Sequence, residues 1–159
     1  MDKKTLIHQL QVHLAQELAL LVDAARSAHE AATHEESKPE DSHDTRSVEA
    51  SYLAGAQAQR ASEIQQQITM YKFMPLRVYG KNDVICPGSL VELQLNQTRA
   101  FYFIAPQGGG LITTLDGKPI QVITPQSPMG EALLGKKEGD TVEVEIRDNT
   151  REYKVISNR

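Results

Sequence analysis

The chain changes character near residue 74, and that one break limits the folds open to it. Residues 1–73 are rich in Ala, Gln, Glu, Leu and His, and they hold only one proline, Pro39, and one glycine, Gly55. From residue 76 onward Val, Ile, Thr, Gly and Pro take over. Alanine and straight-chain residues lose little freedom in a helix, while β-branched residues fit a pleated surface. The break therefore predicts an α+β chain with a helical unit over 1–75 and a sheet-forming unit over 76–159. At 159 residues there is room for two small units and no more.

In the first half, Leu6, Leu10, Leu14, Leu18, Leu21, Ala25, Ala28 and Ala32 recur at spacings of three and four. That period puts them on one face of a helix expected from about Lys4 to Ala32. Val48, Tyr52, Ala56, Arg60, Ile64, Ile68 and Tyr71 follow a similar period and predict a second helix from about Thr45 to Phe73. Asp44, Thr45 and Ser47 supply caps for its start. The leucine-rich start of the first helix matches the Ile64–Tyr71 end of the second only if the two run antiparallel. The expectation is an antiparallel coiled-coil hairpin. Too long to bury a globular core, it should project as a finger, with residues 34–46 at its tip. A coiled-coil homodimer serving as an interaction scaffold is the alternative use of such a seam.

The second half alternates over shorter runs. Leu90–Leu95, Ala100–Ile104, Gln121–Ile123, Thr141–Ile146 and Glu152–Ile156 predict a sheet of about five strands, with Asp148-Asn149-Thr150 turning the last hairpin. Ser127 to Gly135 reads as one short helix: Ser127 as N-cap, Pro128 at N1 and Gly135 at the close. Gln107-Gly108-Gly109-Gly110 has no helix and no Lys-Ser/Thr pair after it, so it reads as a flexible hairpin turn and not as a phosphate loop.

Several function classes fall away. The formal net charge is -4, whereas general binding of nucleic acid or of an anionic membrane needs a positive field. No apolar run approaches the roughly 20 residues of a bilayer span. His8, Gln9 and Gln11 interrupt any h-region behind the first lysines, so no secretory signal is expected. Cys86 is the only cysteine, which removes intrachain disulfides and thiolate zinc sites and favours a cytoplasmic setting. All five histidines lie in the helical half, and no nucleophile, base and oxyanion set converges, so the chain is not expected to be an enzyme by itself.

The tip is the most unusual stretch. From His34 to Arg46, Glu35, Glu36, Glu40, Asp41 and Asp44 face Lys38 and Arg46, a net of -3 within a chain whose total is -4. Clustered carboxylates can retain a divalent cation or position a water. Neither an HExxH spacing nor an EF-hand register is present, so the free chain is expected to bind no metal of its own.

The run Ser127-Pro128-Met129-Gly130-Glu131-Ala132-Leu133-Leu134-Gly135-Lys136-Lys137-Glu138-Gly139-Asp140-Thr141-Val142-Glu143-Val144, followed by Arg151-Glu152-Tyr153-Lys154-Val155, resembles the C-terminal signature of the GreA/GreB transcription elongation factors. The resemblance covers about residues 76–159. It reaches the hairpin through Ser47, Ala50 and Tyr52. It implies an FKBP-like C-terminal domain without prolyl isomerase activity, docked on RNA polymerase at the rim of the secondary channel. It also implies a coiled coil entering that channel. The tip acids would there help the polymerase hold an Mg2+ ion and a water, stimulating cleavage of backtracked RNA. Nascent RNA is then touched only indirectly, and no membrane or independent DNA binding is implied. The residues that would act are Asp41, Asp44 and Glu40 at the tip, with Gln126, Ser127 and Pro128 for docking. The register differs from the family's: aligned on Ser47, Ala50 and Tyr52, the family's Asp and Glu positions fall on Thr45 and Val48. A channel-binding regulator without cleavage activity is the corresponding alternative.

Overall fold

The computed structural model describes residues 1–33, 46–146 and 149–159, with side chains over 1–30, 53–145 and 149–159. In chain order these residues form α1 (Lys3–Thr33), α2 (Arg46–Phe73), β1 (Leu90–Leu95), β2 (Thr98–Ile104), β3 (Ile112–Leu115), β4 (Lys118–Ile123), α3 (Pro128–Leu133), β5 (Thr141–Ile146) and β6 (Asn149–Asn158). They divide into two compact units, Gln11–Lys72 on the one hand and Met1–Leu10 with Phe73–Arg159 on the other.

In the helical unit α1 and α2 run antiparallel. Arg60 donates to Glu17 Oε1 at 2.7 and 3.1 Å. Further along α1, Leu21, Ala25 and Ala28 line a groove with Ala61, Ala58 and Ala54, which lie progressively earlier on α2. Burial follows side-chain size. Leu14 and Ile64 are fully buried, Leu18 and Leu21 are half-buried, and Ala25 and Ala28 are exposed. The periodic stripe seen in the sequence is thus a packed seam where it carries leucine and isoleucine. It opens to solvent where it carries alanine, which has too little surface to close it.

In the other unit the six strands form one sheet in the order β3-β4-β2-β1-β6-β5. Neighbours are antiparallel except β2 and β4, which are parallel. Two expectations are corrected here. The strand β3 was not legible, because Ile112-Thr113-Thr114-Leu115 is short and sits directly behind a glycine run. Gly108–Gly110 is not a hairpin turn, because β2 and β3 are not neighbours and β4 lies between them. The glycine segment instead runs beside β4, with Gly110 N–H donating to Val122 O at 2.9 Å and Val122 N–H to Leu111 O at 2.8 Å.

One face of this sheet buries Val91, Leu93, Val144, Tyr153 and Val155 against Met129 and Leu133 of α3. Strand alternation sends Leu90, Phe101, Phe103 and Ile120 to the opposite face, and they are buried as well. Leu6, Ile7 and Leu10 of α1 are buried in the same unit. Two contacts bring the start of α1 to the β3–β4 side: the Met1 amino group lies 3.2 Å from Asp116, and Thr113 Oγ1 donates to Gln9 Oε1 at 3.5 Å. Asp2 caps α1, its carboxylate accepting from the backbone N–H groups of Lys4 and Thr5 at 3.2 and 3.1 Å.

Candidate functional site

The chain leaves β4 through Thr124, Pro125 and Gln126 and enters α3. At Ser127 the backbone is extended (φ -73°, ψ 151°), and Ser127 Oγ accepts from Gly130 N–H at 3.1 Å while donating to Thr124 O at 2.8 Å. Pro128 at the first helical position has no N–H to leave unpaired. Glu131 N–H then donates to Ser127 O at 2.8 Å, and the first turn is closed. The far end is tied as tightly. Gly135 takes φ +77°, a conformation glycine adopts without strain. Its N–H donates to Ile85 O at 2.9 Å, and Ile85 N–H donates to Lys136 O at 2.7 Å. With Leu133 fully buried beneath it, α3 is a fixed platform.

On that platform Gln126 and Pro128 are exposed and Ser127 is half-buried. The three residues expected to dock thus share one short turn. The group offers an amide donor and acceptor beside an apolar ring and carries no charge of its own. The other candidates, Glu40, Asp41 and Asp44, lie outside the described residues, between the end of α1 and the start of α2. The Thr45 position and the Val48 side chain lie outside them too. Among the described residues no group of three His, Cys, Asp or Glu side chains is arranged to hold a metal ion.

Two charged clusters escaped the sequence reading. Glu92 alternates with Val91 and Leu93 and so reads as a solvent-facing strand residue, yet it is 5% exposed. Its carboxylate lies against Arg99 at 2.8 Å and Arg159 at 3.5 Å. Lys3 reads as a surface lysine before a helix. Its ammonium in fact donates to the carbonyls of Arg77, Gly88 and Arg159 and sits 4.3 Å from the Tyr79 ring centroid. Burial pushes Lys3 down to about 8, with Cys86 opposing the shift. Burial, and then the 3.1 Å hydrogen bond to Cys86 Sγ, pushes the Tyr79 phenol up to about 12. The Lys3 cluster is assembled from segments far apart in the chain, and at Glu92 the nearby Arg99, seven residues on, is joined by Arg159 and Ser157 from the far end.

Comparison with known proteins bears on the sheet-containing unit first. Residues 81–158 match the family model described as transcription elongation factor, GreA/GreB, C-terminal. The chain is 33% identical over 78 residues to the transcription elongation factor GreA of Clostridium acetobutylicum, a match covering 48% of this chain and 46% of that protein. The matched stretch therefore spans about half the length of the clostridial relatives. A longer match joins it to the transcription elongation factor GreA of Neisseria meningitidis, 30% identical over 124 residues, 74% of this chain and 75% of that one. Among solved structures, Thermus aquaticus Gfh1 aligns over 92% of both chains at 22% identity with a TM-score of 0.40. The GreA/GreB factor from Nitrosomonas europaea aligns over 55% of this chain and 64% of that one at 19% identity, with a TM-score of 0.34. The extent of the Neisseria match takes the likeness beyond the C-terminal signature, and this chain belongs to the GreA/GreB family of transcription elongation factors.

Proposed function

We propose that the chain is an accessory factor of RNA polymerase that binds at the secondary channel and stimulates cleavage of backtracked transcripts, restarting elongation. Family membership carries this reading. The charge placement supports it: a net of -3 falls within residues 34–46, which run from the end of one long helix to the first residue of the next. On this reading the α3 turn with Gln126, Ser127 and Pro128 faces the polymerase, and Asp41, Asp44 and Glu40 are lent to its active site. Asp41, Asp44 and Glu40 would stand beside an Mg2+ ion held by the polymerase, which would supply the activation of water for attack on a phosphodiester. The chain's part is to add carboxylates beside that ion, so it modulates another enzyme's chemistry and performs none alone.

A second reading has its own observation. By the resemblance aligned on Ser47, Ala50 and Tyr52, Thr45 and Val48 fall where the family would carry Asp and Glu, and neither side chain offers a carboxylate. A factor so altered enters the channel and regulates without cleaving. One experiment separates the two. A backtracked elongation complex is incubated with the wild-type chain and with Asp41→Ala/Asp44→Ala. Under the first reading wild type shortens the RNA and the double variant loses about a hundredfold in rate, the lower end of what one positioned acid–base group contributes. Absence of cleavage by wild type, while it still displaces an active family member, leaves the regulator reading. Failure to bind the polymerase at all removes both.

A further inference from the structure

Glu92 stands in β1 on the face opposite α3, and how its charge is handled there is not explained by neutralisation alone. Its Oε1 accepts from Arg99 at 2.8 Å, while Oε2 lies 3.5 Å from the Arg159 guanidinium and accepts from Ser157 Oγ at 3.4 Å. The carboxylate is shut from solvent, but its two arginines are not, with side chains 58% and 48% exposed. A guanidinium carries five N–H donors, and each of these reaches Glu92 through one nitrogen. The buried acid thus fixes where two forks stand and leaves most of their donors, and one net positive charge, facing outward.

The surrounding cations continue the pattern. Lys154 pairs with Gln94 and shares the face of Glu92 by alternation. Lys118 Nζ sits 4.8 Å from the ring centroid of Phe101, the cross-strand partner of Glu92. At roughly 4.8 Å between strands, the row from β4 to β6 spans about 15 Å. Beyond it the sign reverses: Val142 and Val144 face α3, so Glu143 and Glu145 of β5 come to this side, with Glu143 opposite Glu152. The surface is a positive stripe bordered by a negative edge.

We infer that this face docks an acidic protein segment, whose carboxylates meet the Arg99 and Arg159 forks while a basic residue of the same partner meets Glu143 and Glu152. Planar forks suit carboxylates bidentately. RNA fits less well on two counts. A phosphate backbone leaving the stripe runs onto the acidic edge, and Phe101 is 7% exposed and offers no stacking platform. The inference stands apart from the polymerase reading, since it concerns the sheet face opposite α3.

The test uses the full chain at low salt with two fluorescent probes, a peptide of consecutive Glu followed by Lys and a single-stranded RNA oligomer. The peptide is expected to bind, and Arg99→Gln and Arg159→Gln each to weaken it by about fivefold, the worth of one well-made exposed ion pair. Lys81→Gln, on the turn closed by Gly80 and Asp83, serves as a charge control and leaves binding unchanged. Glu92→Gln is decisive: it makes the face more positive, so charge alone tightens the peptide, whereas loss of the anchor weakens it. Should Glu92→Gln impair folding, Arg99→Lys and Arg159→Lys keep the charge, lose the fork and are expected to weaken binding alike. Absence of peptide binding, tighter binding by a folded Glu92→Gln, undiminished binding by both lysine variants, or tighter binding of the RNA each overturns the proposal.

Discussion

At Gly130 there is no space for a side chain. A Cβ built there lies 2.0 Å from the Thr124 carbonyl oxygen, the same oxygen that accepts from Ser127 Oγ. Backbone atoms cannot yield as a side-chain tip can, so Gly130→Ala must displace the entry to α3. Forced overpacking of this kind costs about 1–3 kcal/mol, a fall of several degrees in Tm for a chain of this size. A scan with Tm within about one degree of wild type refutes the clash. The capping role of Ser127 was readable from local sequence, because a cap and its helix are neighbours in the chain. The need for glycine at 130 was not, since the obstacle exists only once the turn has folded back over Thr124.

Along α1 the same periodic stripe has unequal consequences. Leu14 is fully buried and Leu21 half-buried, although both occupy the face that the spacing of three and four defines. Leu14→Ala is expected to cost about 2–5 kcal/mol, the range for emptying a packed leucine site. Leu21→Ala should cost about 1 kcal/mol, because less area returns to water. Urea unfolding of the two variants checks the order, and equal losses contradict a seam that opens toward α1's end. The period told which residues share a face but not how far the neighbouring helix closes over them. The sheet shows the same division. Alternation located five of its strands, yet the parallel pairing of β2 with β4 and the short β3 outside it depend on which strands meet, a choice no local pattern encodes.

Across the whole molecule, the sheet-containing unit is assembled from the first ten residues and the last eighty-seven. Lys3 joins them through the carbonyls of Arg77, Gly88 and Arg159. Burial sets its folded pKa at about 8, below the ordinary 10.5. Between those values the unfolded chain holds more protons than the folded one, so the Lys3 contribution to stability rises with pH across that window and is flat below it. Lys3→Met removes this slope while losing the three hydrogen bonds. Denaturation midpoints at about pH 7 and pH 9.5, compared between wild type and Lys3→Met, isolate it from other titrating groups. Parallel pH dependence in both proteins means that the three carbonyls, which favour the ammonium, outweigh burial. What the sequence determined alone was everything carried by near neighbours: two long helices, most strands, the Ser127–Pro128 entry to α3, and the signature of the family. Tertiary structure decided the strand order, the burial of Glu92 beneath two arginines and the capture of Lys3. Each of these draws in a segment distant in the chain, Arg159 in the case of Glu92, and such contact energies appear only when the sheet has closed.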